Sequence, residues 1–160
     1  MWTYNGICVD DSDIDISEYE GFVYVIRNRN NGKLYIGKKT LISRSRKKVK
    51  KKNGKGVKTQ IIKKESDWKK YWGSNIYLKE DAEEFKYENI DRQILHFCKS
   101  KSEGSYIEAY LQFKFHSLVN SEKWYNRWIK ITVNGSTIKN INEEELKKIG
   151  IKLALILRIT

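Results

Sequence analysis

Tyr24 and Tyr35 are the residues whose type and spacing first suggest chemistry. They stand eleven positions apart on two short runs rich in β-branched and aromatic residues, 22–27 and 33–36. Between the runs lies a polar segment ending in Asn31-Gly32, residues that accept the positive φ angles of a hairpin turn. A hairpin there brings two hydrogen-bonding phenols toward one site. The same pattern also suits ordinary strand aromatics packing across a sheet, and the spacing alone leaves both readings open.

The segment after the hairpin favours work on a polyanion. Residues 38–70 hold 15 Lys or Arg against Glu65 and Asp67, a net of +13. The first 20 residues carry six acids and no base, so with a total of +12 the remainder is only +5. One segment therefore holds the basic character of the chain, and nucleic acid is its natural partner. A charge run is also a common way to build a solvated, mobile surface. Cys8 and Cys98 are far apart and match no zinc or redox spacing, so both are expected as reduced thiols. His96, on an apolar run, reads as a satisfied core residue, and His116 as a helix-surface one.

The elements that must position these groups suggest an α+β domain: a small three-stranded, mainly antiparallel sheet, made of the N-terminal β-hairpin plus a later strand and flanked by helices. The third strand is expected over residues 89–98, with helices over 75–85, 102–119 and 143–149. Residues 40–46 could begin a helix, whereas 47–58 read as a flexible basic loop because like charges repel and two glycines interrupt it. Ser66 or Asp67 is a candidate N-cap ahead of Trp68, Tyr71 and Trp72, and residues 124–133 read as strand or loop. Residues 1–20 read as an acidic extension in which Trp2, Tyr4 and Ile7 could anchor a strand or turn. Residues 21–130 read as the main domain. Residues 131–160 read as a C-terminal extension, whose apolar end packs on the domain or on a second copy in a homodimer. No apolar run reaches the roughly 20 residues of a membrane span, and the acidic start does not look like a signal peptide. A cytoplasmic protein is expected.

The order of these parts resembles the GIY-YIG nucleases. The first motif reads Phe22-Val23-Tyr24, keeping only the tyrosine of Gly-Ile-Tyr, and the second is unaltered as Tyr35-Ile36-Gly37, followed by Lys38. The stretches NGKLYIGKKT, ESDWKKYWGS and FCKSKSEGSYIEAYLQF are similar to the small endonucleases carried by tailed bacteriophages. The resemblance covers residues 21–128 and implies hydrolysis of DNA phosphodiesters, in the host cytoplasm for a phage-encoded member.

The resemblance also implies roles. Glu108, in YIEAYL, is the carboxylate ligand of Mg²⁺ or Mn²⁺; read without it, Glu108 is a solvent-facing helix glutamate. Tyr24 is the general base toward the attacking water and Tyr35 orients it, although a phenol with its ordinary pKa near 10 needs nearby cations to act so at neutral pH. Lys38 supplies part of that field. The family's arginine after the second motif falls at Ser45 here, which leaves Arg44 or Arg46 to clamp the phosphate. Asn126, in WYNRW, matches a late asparagine that orients active-site groups. Double-stranded DNA is then gripped by Lys38, Lys39, Lys47, Lys48, Lys50, Lys51, Lys52, Lys55 and Lys58. Two other classes remain: a non-catalytic nucleic-acid-binding protein that stacks bases on its aromatics, and an interaction protein that holds an acidic partner.

Overall fold

The computed structural model describes residues 1–9, 15–50 and 56–158. Among them are seven strands: β1 (Trp2–Tyr4), β2 (Ile7–Cys8), β3 (Gly21–Asn28), β4 (Leu34–Thr40), β5 (Ile42–Lys50), β6 (Val57–Glu65) and β7 (Ile90–Cys98). Three helices join them: α1 (Ile76–Glu84), α2 (Lys101–Lys114) and α3 (Glu143–Arg158). None is long and apolar enough to cross a membrane.

The expected hairpin forms as β3–β4, in register from Gly21↔Thr40 to Arg27↔Leu34. Its turn is closed by Asn side chains that bond the main chain two residues on, Asn28 Oδ1 accepting from Asn30 N and Asn31 Oδ1 from Lys33 N, each at 3.0 Å. Gly32 takes φ +72°, the conformation for which a residue without Cβ is suited.

β3 is the middle of the molecule, paired with β4 on one side and β7 on the other. Its side chains alternate between two cores, as a pleated strand requires. Val23 and Val25 face Ile107 and Leu111 of α2 and Ile149, Leu153 and Ile156 of α3. Phe22, Tyr24 and Ile26 join an aromatic core with Trp2, Trp68 and Phe97. On β7, Val23 pairs with His96 but Tyr24 with Ile94, so Leu95 is an extra residue in a bulge. Lys152 of α3 donates to the Leu95 carbonyl at 3.1 Å.

The sheet has five strands in the order β2-β1-β7-β3-β4, not the three expected. The two added strands come from the N-terminal stretch: β1 lies parallel to β7, with Trp2↔Arg92 in register, and antiparallel to β2. Trp2 is buried, donates its indole N–H to the Trp68 carbonyl at 2.8 Å, and meets Phe22 and Tyr24 edge-on. At the other end, the expected short helix over 143–149 continues to Arg158 and carries the apolar C-terminal stretch against this chain's own β7 and α2.

The basic segment corrects two expectations, a helix over 40–46 and a loop over 47–58. β5 and β6 instead form a separate two-stranded antiparallel ribbon. Residues 51–55, including Lys51, Lys52 and Lys55, lie outside the described residues. Charge repulsion loses here because of the register. Lys47 faces Gln60, Lys48 faces Thr59, Arg46 faces Ile61 and Lys50 faces Val57. Of the nine cross-strand pairs, Arg44↔Lys63 alone sets two cations opposite, and Glu20 takes both ends of the Arg44 guanidinium. Directly opposite like charges are what destabilise a ladder, and this register avoids them.

If β1 is part of the sheet's core, Trp2→Ala should cost about 3–5 kcal/mol in unfolding free energy, as for other buried tryptophans. Urea denaturation read by far-ultraviolet circular dichroism checks this. An unchanged midpoint would mean that β1 is a detachable extension.

Candidate active site

The second motif strand does most of the placing. Tyr35, Gly37 and Lys38 lie along β4, and Lys38 reaches across to α2, where its Nζ stands 2.7 Å from Oε2 of Glu108. Tyr35, Lys38 and Glu108 share a cleft of about 350 Å³ with Asn126 and Arg127. Tyr35 packs in the aromatic core and turns its hydroxyl outward to Ser74, at 2.9 Å.

Tyr24 sits beneath this mouth, 0% exposed. Its ring lies 6.1 Å from both Tyr35 and Tyr71. Tyr24 and Gly37 are direct cross-strand partners. A Cβ on Gly37 would run into the Tyr24 hydroxyl and lie 2.9 Å from Cε1 of Tyr35. The glycine of the second motif is therefore the gap over which the phenol of the first lies. The Tyr24 hydroxyl is buried without a hydrogen bond of proper geometry, although the Tyr71 phenol is near enough to disfavour its ionisation.

Burial dominates the electrostatics. It pushes the Tyr24 pKa well above the ordinary phenol value, with Tyr35, Tyr71 and Glu108 adding to the shift. Tyr35 is raised for the same reason, against an opposing hydrogen bond from Ser74. Burial also raises Glu108, and the Lys38 ammonium opposes it. Both phenols are thus neutral at pH 7, and Tyr24 can serve as a proton relay but not as a standing phenolate.

Asn126 is buried and brackets one residue of β4: Ile36 N donates to its Oδ1 at 3.0 Å, and its Nδ2 donates to Ile36 O at 2.8 Å. Gln112 of α2 donates to the same carbonyl at 3.3 Å. β4 is an edge of the sheet, and these amides pair main-chain groups there that no sixth strand serves. They hold the backbone between Tyr35 and Gly37. Tyr125 holds the segment from behind, its hydroxyl donating to Asp81 at 2.5 Å and accepting from Asn28 and Asn31 at 3.0 and 2.9 Å. Asn75 caps α1 and donates to the Tyr125 carbonyl at 2.6 Å.

The structure brings Tyr24, Tyr35, Lys38, Glu108 and Asn126 together and leaves Arg44 and Arg46 out. Both arginines sit on β5, Arg44 against Glu20 and Arg46 exposed, because the segment after the second motif is a strand and not a helix. The cations lining the cleft besides Lys38 are Arg127 and Lys130, which sequence reasoning missed. Arg127 follows Asn126 directly in WYNRW, and that adjacency was the available signal. Lys39 is held at the foot of the ribbon, 2.6 Å from Asp67 and over the Tyr71 ring. Lys47, Lys48, Lys50 and Lys58 lie along the ribbon.

His96, Cys98 and Glu103 bring a nitrogen, a sulfur and an oxygen within 4.8 Å of one another. Their contacts are those of a helix cap. Ser100 accepts from Glu103 N, Glu103 accepts from Lys99 N at 3.0 Å, and its other oxygen meets His96 Nε2 at 3.1 Å. His96 is thus the satisfied residue expected, and His116 is exposed at the turn after α2.

Gly37→Ala should destabilise the chain by about 1–3 kcal/mol, the usual cost of overpacking. Adding Tyr24→Phe should recover part of that loss, since it removes the nearer of the two Tyr24 atoms the new methyl meets and leaves Cζ at 2.6 Å. A double-mutant cycle in urea measures the coupling, and strictly additive losses would put the clash elsewhere.

Comparison with known proteins agrees with this geometry. The family described as "Putative endonuclease segE, GIY-YIG domain" matches residues 2–129. No curated protein and no solved structure matches the chain. The family match starts where β1 starts and ends just past the Asn126 segment. Over that length the chain belongs to the phage-type GIY-YIG endonucleases.

Proposed function

We propose that this endonuclease is metal-dependent and hydrolyses phosphodiester bonds of double-stranded DNA, as a phage-encoded enzyme of mobility or of DNA degradation acting in the host cytoplasm. The observation that carries the reading is the placing of Tyr35 and Glu108 in a cleft edged by Lys38, Arg127 and Lys130, with Tyr24 buried against Tyr35 beneath it. GIY-YIG nucleases in general depend on a divalent metal, and the donors here fit a hard cation. The cleft offers the Glu108 carboxylate with hydroxyl and amide oxygens from Tyr35, Ser74 and Gln112, and among the described residues no thiol or imidazole lines it. One carboxylate is enough for Mg²⁺, which keeps several of its waters; Glu108 is the residue that would hold it. Mg²⁺ or Mn²⁺, when bound, supplies charge to the phosphoryl oxygen and acidity to a water.

The chain's own groups do the rest. Tyr24, its buried hydroxyl beside the Tyr71 phenol, takes up the proton of the attacking water as its own proton passes on toward Tyr71. Tyr35, fixed by Ser74, orients that water. Arg127 and Lys130 take the clamping of the scissile phosphate expected of Arg44 or Arg46, since a guanidinium fork matches phosphate oxygens. Asn126 acts through the β4 backbone as a positioning residue.

Supercoiled plasmid DNA with Mg²⁺ tests this. Glu108→Gln and Tyr24→Phe should each slow cleavage by about 100-fold or more, the range for losing an acid–base group, while DNA affinity stays near wild type. Wild-type turnover in either variant removes that residue from the chemistry. Binding should weaken with salt at a log–log slope of about −5 if some six phosphates are neutralised. Replacing Lys47, Lys48, Lys50 and Lys58 by Ser should flatten the slope, and an unchanged slope would exclude the ribbon from the grip.

A further inference from the structure

We infer that the β5–β6 ribbon enters the major groove of duplex DNA and reads base edges with the face that carries Arg46 and Ile61. This deepens the reading of DNA as substrate and rests on it. The ribbon's two strands hold eight Lys or Arg and one acid, Glu65. A polyanion is the complementary partner. Its shape selects which polyanion. Nine residues per strand span about 30 Å, close to one turn of B-DNA, and the major groove, about 12 Å wide, admits a two-stranded ribbon. Duplex RNA has a deep, narrow major groove that side chains cannot read.

Register divides the cations between two faces. One face sets Arg46 opposite Ile61, Lys48 opposite Thr59 and Lys50 opposite Val57. Ile61 is 59% exposed and Val57 57% exposed, so both methyl-bearing side chains are accessible to a base edge. The opposite face carries Lys47, Lys58 and Lys64 with Ser43, Ser45 and Gln60, and its two apolar residues, Val49 and Ile62, are half-buried. The first face thus pairs donors suited to guanine O6 and N7 with methyl groups suited to the thymine C5-methyl. The second offers lysines to the phosphates flanking the groove. At the base, Glu20 fixes Arg44, and Ile42 packs on the aromatic core, so the ribbon leaves the sheet in a set direction.

The test uses the full chain as Glu108→Gln, which leaves bound DNA intact, with duplexes selected from a random pool. We expect a preferred sequence containing guanine. Substituting 7-deazaguanine, which removes an acceptor in the major groove alone, should weaken binding about tenfold, the cost of a lost bidentate contact. Arg46→Ala should narrow the difference between the guanine and 7-deazaguanine duplexes, and Arg46→Lys, which lacks the planar fork, should restore affinity more fully than the preference. Lys47→Ala should weaken all sequences equally. A pool that yields no preference, indifference of the wild-type ribbon to 7-deazaguanine, or equal affinity for duplex RNA of the same sequence would each overturn the inference. Failure of the nuclease reading shows separately, as wild-type protein that leaves plasmid DNA uncut with Mg²⁺.

Discussion

A phenol can lie across a neighbouring strand only where that strand presents no side chain, and Tyr24 over Gly37 meets this condition. The contact fixes the β3–β4 register. A slip of one residue would bring Ile36 or Lys38 under the ring and turn every side chain of one strand to the wrong core. With the register fixed, Tyr35 falls in the aromatic layer with its hydroxyl at the mouth. Lys38 then falls opposite Glu108 of α2. The extra residue at Leu95 shifts the alternation of β7, so that Leu95 and Cys98 face one core and Ile94 and Phe97 the other.

The site is polar in a place where polarity is expensive. Tyr24 and Glu108 are both shifted toward their neutral forms by burial, and the Ile36 peptide lies at a sheet edge. Each is handled by a different means. Glu108 has a cation, Ile36 has two amides, and Tyr24 has no full hydrogen bond at all. A buried hydroxyl left so costs about 1–3 kcal/mol by mutational measures. The cost falls on the one group for which the proposed chemistry needs a new partner, the attacking water. A permanent hydrogen bond there would compete with that water.

The legible part of the sequence is local. Asn31-Gly32 between two β-prone runs reports a hairpin without help from the rest of the chain, and the stepped apolar positions behind Ser100 report α2. Trp2 and Tyr4 offer a strand or turn, but the place of β1 in the sheet is not legible, because three residues pairing in parallel with a strand some ninety positions later leave no local pattern. For the ribbon, composition points the wrong way and alternation the right one. The lysines repel when counted together, but in register they face Gln60, Thr59 and Val57. The family spacing misplaces the arginine of the cleft because it presumes a helix after Gly37. Where a strand stands instead, the cleft takes its cation from Arg127, on a segment that Tyr125 pins to the hairpin turn and to α1.

The grip and the cleft are mechanically one piece. β4 ends at Thr40 and β5 begins at Ile42, so Leu41 alone separates the strand that carries Lys38 from the ribbon. Leu41 is buried, and its N–H donates to the Glu20 carbonyl at 2.9 Å while its carbonyl accepts from Ser66 N at 2.8 Å. Ser66 Oγ donates to the Thr40 carbonyl at 2.5 Å, and Asp67 holds Lys39. These bonds clamp both strands of the ribbon at its root and leave no flexible linker between root and sheet. A ribbon seated on DNA therefore fixes where the cleft falls along the duplex. A linker would let the cleft range over several phosphates. This root confines it to a set offset from whatever the ribbon holds.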